Sequence, residues 1–148
     1  LERLHVLCSH FDPSLSGPIT QALASVQWST LKALKLSGDH IDTWIRLLMT
    51  CADQGAVGFA HSDLSLQSLH IQGTGSAPQD LSHSSTLVVH WLLCSSPLKE
   101  LCLEKVELQD SRDWRFLVDA IDYSLLESLR LSEKVRYQPK SAKDAIAL

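Results

Sequence analysis

The residues with the most chemical potential in this chain form several small groups. Gly73-Thr74-Gly75 stands between a strand-like and a helix-like stretch, the setting of a dinucleotide-binding turn, where glycines let the backbone approach a pyrophosphate. The third glycine of Gly-x-Gly-x-x-Gly is replaced by Pro78, and Glu104 at the end of the next strand-like run is a weak counterpart of the ribose-binding acid. Cys8-Ser9-His10, with Asp12 close by, offers sulfur, nitrogen and oxygen ligands, but no second Cys/His cluster at ligand spacing completes a metal site. Serines are abundant, yet there is no Gly-x-Ser-x-Gly elbow. Asp110, Asp113, Asp119 and Asp122 have the look of paired acids, but their spacing also suits the solvated face of a helix carrying Trp114 and Val118. His61, His83 and His90 are scattered, with His90 on the side of a helical run. The expectation is therefore a non-catalytic chain with no cofactor and no metal centre.

Composition narrows the class further. The chain has 148 residues, is 45% hydrophobic and carries a formal net charge of −4. That size suits one domain or one segment of a repeat protein, and the charge argues against nucleic acid as a partner. The longest apolar run, Thr86 to Cys94, is interrupted by His90 and is too short to span a bilayer. The opening Leu-Glu-Arg-Leu has neither a basic n-region nor an apolar h-region. Cys8, Cys51, Cys94 and Cys102 form no Cys-x-x-Cys pair, and there is no asparagine and hence no glycosylation sequon. Reduced thiols in the cytoplasm or nucleus are expected.

The elements that must position these residues announce themselves by repetition. The phrase Leu-x-x-Leu-x-aliphatic occurs as Leu1-Leu4-Val6, Leu31-Leu34-Leu36, Leu66-Leu69-Ile71, Leu98-Leu101-Leu103 and Leu126-Leu129-Leu131. Positions 4 and 6 share one face of a strand, because side chains alternate with period two, and position 1 turns inward ahead of it. Such a unit cannot bury its own apolar face and must stack on its neighbours, which predicts a solenoid.

The return segments carry helical spacing. Pro18 suits the first turn of a helix with Ile19, Ala22, Leu23 and Val26 inward. Ile41, Trp44, Ile45 and Leu48 follow, with Asp39 as candidate cap. Ser84 or Ser85 is the candidate cap for the run with Leu87, Val88, Trp91 and Leu92. Asp110 or Ser111 precedes Trp114, Leu117, Val118 and Ile121. The helices are expected on the convex side, with Trp28, Trp44, Trp91 and Trp114 as apolar spacers between units. Asp53 to Asp63 and Gly73 to Leu81 read as loops.

With phrases starting at 1, 31, 66, 98 and 126 and a helical return between them, the chain resembles leucine-rich-repeat proteins of the ribonuclease-inhibitor-like and F-box-associated kinds. The resemblance implies an α/β solenoid over residues 1–133: a curved parallel sheet on the concave side, helices on the convex side, and a protein-binding role. The ninth positions depart from the family's Asn or Cys: Ser9, Asp39 and Thr74 partly substitute for its hydrogen bond, whereas Val106 and Lys134 do not, so the array is expected to be irregular. Residues 134–148 read as a tail or partial cap. The phrase is already under way at Leu1, which predicts a piece of a longer chain whose uncapped ends invite self-association.

A parallel ladder covered by helices on one side leaves its other face open, and that face carries positions 3, 5 and 7. Position 5 reads His5, Lys35, His70, Cys102, Arg130, a mostly basic column interrupted by Glu100 and Glu104 beside the fourth strand. Arg3, Ser37 and Gln72 complete the candidate surface. Its expected partner is another protein with acidic groups at the contact, not nucleic acid or membrane. Substrate recognition in an F-box-type ubiquitin-ligase adaptor is the narrower expectation. The alternatives are a sensor segment of a larger NTPase-containing protein or, last, a nucleotide-binding α/β enzyme using the Gly73 loop.

Overall fold

A computed structural model describes residues 2–7, 17–18, 21–22, 30–53, 65–75, 78–108, 111–122 and 126–131. The elements run β1 (Arg3–Leu7), β2 (Ala33–Gly38), α1 (Ile41–Asp53), β3 (Ser68–Gly73), β4 (Gln79–Leu81), α2 (His83–Ser95), β5 (Glu100–Glu104), β6 (Val106–Leu108), α3 (Ser111–Asp122) and β7 (Ser128–Leu131). The fold is α/β. Five parallel strands lie in the order β1-β2-β3-β5-β7, and β4 and β6 form a second, two-stranded parallel sheet.

The alternation of apolar residues dictates which side of the main sheet is buried. Leu34, Leu36, Leu69, Ile71, Leu101, Leu103, Leu129 and Leu131 are all buried, while Lys35, His70 and Cys102 between them are half-buried and Arg130 is exposed. Leu31, Leu66, Leu98 and Leu126, each three residues ahead of its strand's first inward leucine, turn in and are buried as well. Each such side chain contributes roughly 1.5–3 kcal/mol of burial free energy.

Neighbouring strands are locked by one repeated device. The carbonyl of Glu2 accepts from the N–H groups of Lys32 and Ala33, that of Lys32 from Gln67 and Ser68, that of Gln67 from Lys99 and Glu100, and that of Lys99 from Glu127 and Ser128. These eight bonds pin the entry to each strand against the one before. The resulting register aligns Leu34 with Leu69, Leu69 with Leu101, and Leu101 with Leu129.

The helices cover the apolar side. In α1 the buried residues Ile41, Ile45 and Leu48 follow helical spacing, and Trp44 packs against the core. In α2, Val88, Val89, Leu92 and Leu93 are buried, a wider stripe that suits a helix packed between α1 and α3. Leu117, Val118, Ala120 and Ile121 do the same for α3. Trp91 and Trp114 pack against this core as expected of spacers. Pro97 cannot continue α2, and Ser96 before it is extended at φ −128°, ψ 158°. No helix of the described residues is long and apolar enough to cross a membrane.

Four local expectations are corrected. Helix α2 is capped by Ser82, whose Oγ accepts from the Ser85 N–H at 3.3 Å; Ser84 and Ser85 lie inside the first turn. Helix α1 begins at Ile41 and its first bond runs from the Trp44 N–H to the His40 carbonyl, so the cap position is His40 and not Asp39, whose carboxylate accepts from Thr74 Oγ1 at 2.9 Å. Gly73 to Leu81 is not loop throughout, since Gln79–Leu81 pairs with Val106–Leu108, and Val106 at a ninth position is buried in that strand. Asp113 is only 3% exposed and does not sit on a solvated helix face.

Outside the described residues lie Cys8, Ser9, His10 and Asp12, Trp28, the rest of the helix expected after Pro18, residues 54–63 of the expected loop with His61, Asp110, and residues 134–148 with Lys134.

Candidate functional site

The sheet face opposite the described helices is set by strand register alone. Successive partners place Arg3, Ala33, Ser68, Glu100 and Ser128 in one column and His5, Lys35, His70, Cys102 and Arg130 in the next. Leu7, Ser37, Gln72 and Glu104 form the third. All ten candidate residues therefore lie on one face. Arg3, His5, Glu100 and Arg130 are exposed, while Lys35, His70, Gln72, Cys102 and Glu104 are half-buried among their neighbours. Leu7 stands 68% exposed at the end of the third column.

Ser37 is a correction: it is 7% exposed and hydrogen-bonds His5 Nε2 at 2.7 Å, so it is not a free contact group. The bond is diagonal, because His5 pairs with Lys35 and reaches the residue two further along. The same diagonal recurs between His70 and Glu104, where Nε2 and Oε1 are 3.6 Å apart. Glu104 is thus an inward-reaching partner of the column as well as an interruption in its charge. Its Oε1 also accepts from Cys102 Sγ at 3.3 Å.

Electrostatics follow from this crowding. Burial pushes the Cys102 thiol up to about 12, helped by its hydrogen bond to Glu104 and by that carboxylate's charge, against the opposing pull of Arg130 and Lys35. Burial likewise lowers His70; Glu104 works against this, while Lys35, Arg130 and His5 reinforce it. His70 is then neutral and Cys102 a thiol near neutrality. The column's fixed positive charges are Lys35 and Arg130, fewer than the residue letters suggest.

His70 Nε2, Cys102 Sγ and Glu104 Oε1 come within 4.8 Å of one another, a group able to hold a metal ion. Each residue was expected on this face, but their convergence was not. The only signal for it was the spacing of Cys102 and Glu104 by two, with His70 at the equivalent of Cys102 one unit earlier.

The remaining chemical candidates take structural roles. Gly73 ends β3, and a Cβ there would overlap the carbonyl oxygen of Lys105, which accepts from the Gln79 N–H at 2.8 Å. The glycine is needed for that close approach. The next described element is β4 at Gln79, and α2 begins only at His83, so no described helix N-terminus opens at Gly73-Thr74-Gly75 to cradle a phosphate. His83 Nδ1 donates to Asp113 Oδ1 at 2.7 Å, linking α2 to α3. His90 stacks on Phe116, ring centroids 3.8 Å apart and 14° from parallel, and burial lowers its pKa. Asp42, which the spacing did not single out, accepts from the Ser82 N–H at 2.8 Å and from the Ser85 hydroxyl at 2.5 Å.

Comparison with protein-family models, characterised proteins and solved structures finds no match.

Proposed function

We propose that the chain is a non-catalytic protein-binding scaffold of the leucine-rich-repeat type, a solenoid whose open, concave sheet face receives an acidic segment of another protein. The observation that carries this reading is the register. It lines up positions 3, 5 and 7 of successive strands as adjacent columns about 4.8 Å apart, while positions 1, 4 and 6 are consumed by the core. The same lateral hydrogen-bond pair at all four strand junctions supports a translational repeat. Lys35 and Arg130 supply the fixed charge that would steer and orient an acidic partner.

Within this class, the substrate-recognition segment of an F-box-type ubiquitin-ligase adaptor is the first narrower role, in the cytoplasm or nucleus. The sensor segment of a larger NTPase-containing protein is the second. An F-box or an NTPase module encoded beside this sequence would separate the two.

The test uses the chain as bait with Lys35→Glu and Arg130→Glu combined, beside Arg115→Glu, which reverses an exposed charge on α3. The double reversal is expected to weaken capture of a retained protein at least about tenfold at low salt, where charge complementarity acts most strongly. Arg115→Glu should leave capture unchanged. Equal capture by the double variant rejects this face as the binding site.

A further inference from the structure

We propose that His70 Nε2, Cys102 Sγ and Glu104 Oε1 bind a divalent cation of the zinc type on the open face of the sheet. The three groups come from β3 and β5 in the middle of the five-stranded sheet, where His70 and Cys102 are direct register partners and Glu104 lies two residues beyond Cys102. Backbone pairing therefore sets their separation.

Two of the three ligand separations lie close to those of tetrahedral coordination. Metal–nitrogen and metal–oxygen bonds of about 2.0–2.1 Å and a metal–sulfur bond of about 2.3 Å place nitrogen and oxygen ligands about 3.4 Å apart, and sulfur and oxygen about 3.6 Å apart. The His70 Nε2 to Glu104 Oε1 distance is 3.6 Å and the Cys102 Sγ to Glu104 Oε1 distance is 3.3 Å. All three ligand atoms lie within 4.8 Å of one another. The first two separations differ from the tetrahedral values by about 0.2–0.3 Å, and the third pair, His70 Nε2 and Cys102 Sγ, is brought in by side-chain torsion.

A second observation points to a ligand. His70 Nε2 is shielded from solvent and has no hydrogen-bond partner among the described residues. A buried polar nitrogen in that state is uncommon and calls for an explanation, and the imidazole lone pair is a metal donor in its neutral form.

Charge is consistent as well. A thiolate and a carboxylate neutralise a dication, so Lys35 and Arg130 on the flanking strands face a site of no net charge. Without the ion, the thiol proton bridges toward Glu104. The cation takes that proton's place and the proton leaves to solvent. One donor each of nitrogen, sulfur and oxygen favours zinc over calcium or magnesium, which prefer all-oxygen shells. Three protein ligands leave a fourth position open toward the uncovered side of the sheet, where water completes the shell.

The site does not depend on the protein-binding reading and is tested without a partner. The reduced full chain is titrated with cobalt(II), which reports a tetrahedral thiolate site through thiolate-to-metal charge transfer and intense visible bands, and then with zinc. One equivalent of cobalt should bind and be displaced by one equivalent of zinc. Cys102→Ser should abolish the charge-transfer band, while Cys94→Ser, which removes an exposed thiol, should leave it intact. His70→Gln and Glu104→Gln should each weaken affinity at least about tenfold, the lower range seen even for groups that only support a ligand. Absence of the band in the native chain, or a band that survives Cys102→Ser, overturns the assignment. Should Cys102→Ser fail to fold by circular dichroism, the other two variants decide: unchanged cobalt affinity in both overturns the site.

Discussion

Replacing Ser85 by alanine should destabilise the chain by about 2 kcal/mol at neutral pH, and the loss should shrink by about half in acid. Ser85 is fully buried in the first turn of α2, and its hydroxyl donates to the Asp42 carboxylate on α1 at 2.5 Å. A hydrogen bond to a charged group contributes about 1.5–3 kcal/mol, and removing its donor leaves the carboxylate less satisfied. Asp42 keeps the Ser82 N–H at 2.8 Å and Arg46 at 3.3 Å, which places the expected loss in the middle of that range. Burial pushes the Asp42 carboxyl up, but the hydrogen bonds from Ser85 and Ser82 and the charge of Arg46 together outweigh it and hold the group below its ordinary value. As pH falls, the unfolded chain therefore takes up this proton first. The stabilisation is complete above the ordinary carboxyl value and is lost as pH falls through the depressed folded one. Below that point the Ser85 hydroxyl meets a neutral acid, and a neutral hydrogen bond has roughly half the strength of a charge-assisted one. Urea unfolding of both proteins at neutral pH and near pH 2, with the slope m held constant, reads the difference directly. At neutral pH the midpoint temperature should fall by about 4–8 °C. A loss that stays the same from neutral pH to acid, or one below about 0.5 kcal/mol, would refute the account of Asp42 as a charged bridge between α1 and α2.

Two further outcomes test the fold, beside the charge reversal and metal titration already described. Gly73→Ala should cost about 1–3 kcal/mol in chemical denaturation, because its methyl group collides with the Lys105 carbonyl and disturbs the bond to Gln79; a neutral effect would show that the β3 end and the β5–β6 turn can separate freely. Leu101→Ala, at a side chain 1% exposed on the fourth of five strands, should cost about 2–5 kcal/mol, and a loss under about 1 kcal/mol would mean the core there is loosely packed.

The local rules succeeded where one side chain's fate depended on its near neighbours in sequence. They faltered at α2 because several serines precede the run, and only the chain's approach from β4 selects Ser82 as the cap. They missed β4 and β6 because three residues carry too little periodicity to mark a strand, and each is defined by pairing with the other. Asp113 followed the spacing of an exposed acid, yet packing of α3 on α2 brings it beneath His83 and buries it. Asp39 and Thr74 were both expected to serve their own turns; instead they bond each other across neighbouring units.

The sequence by itself determined the α/β alternation, the inward leucines and which residues share the open face, because strand period and helix period are local properties of the chain. Tertiary structure alone decided how those faces meet. His5 reaching Ser37, and His70, Cys102 and Glu104 converging, depend on register between strands some thirty residues apart, a distance over which no local pattern specifies which atoms become neighbours.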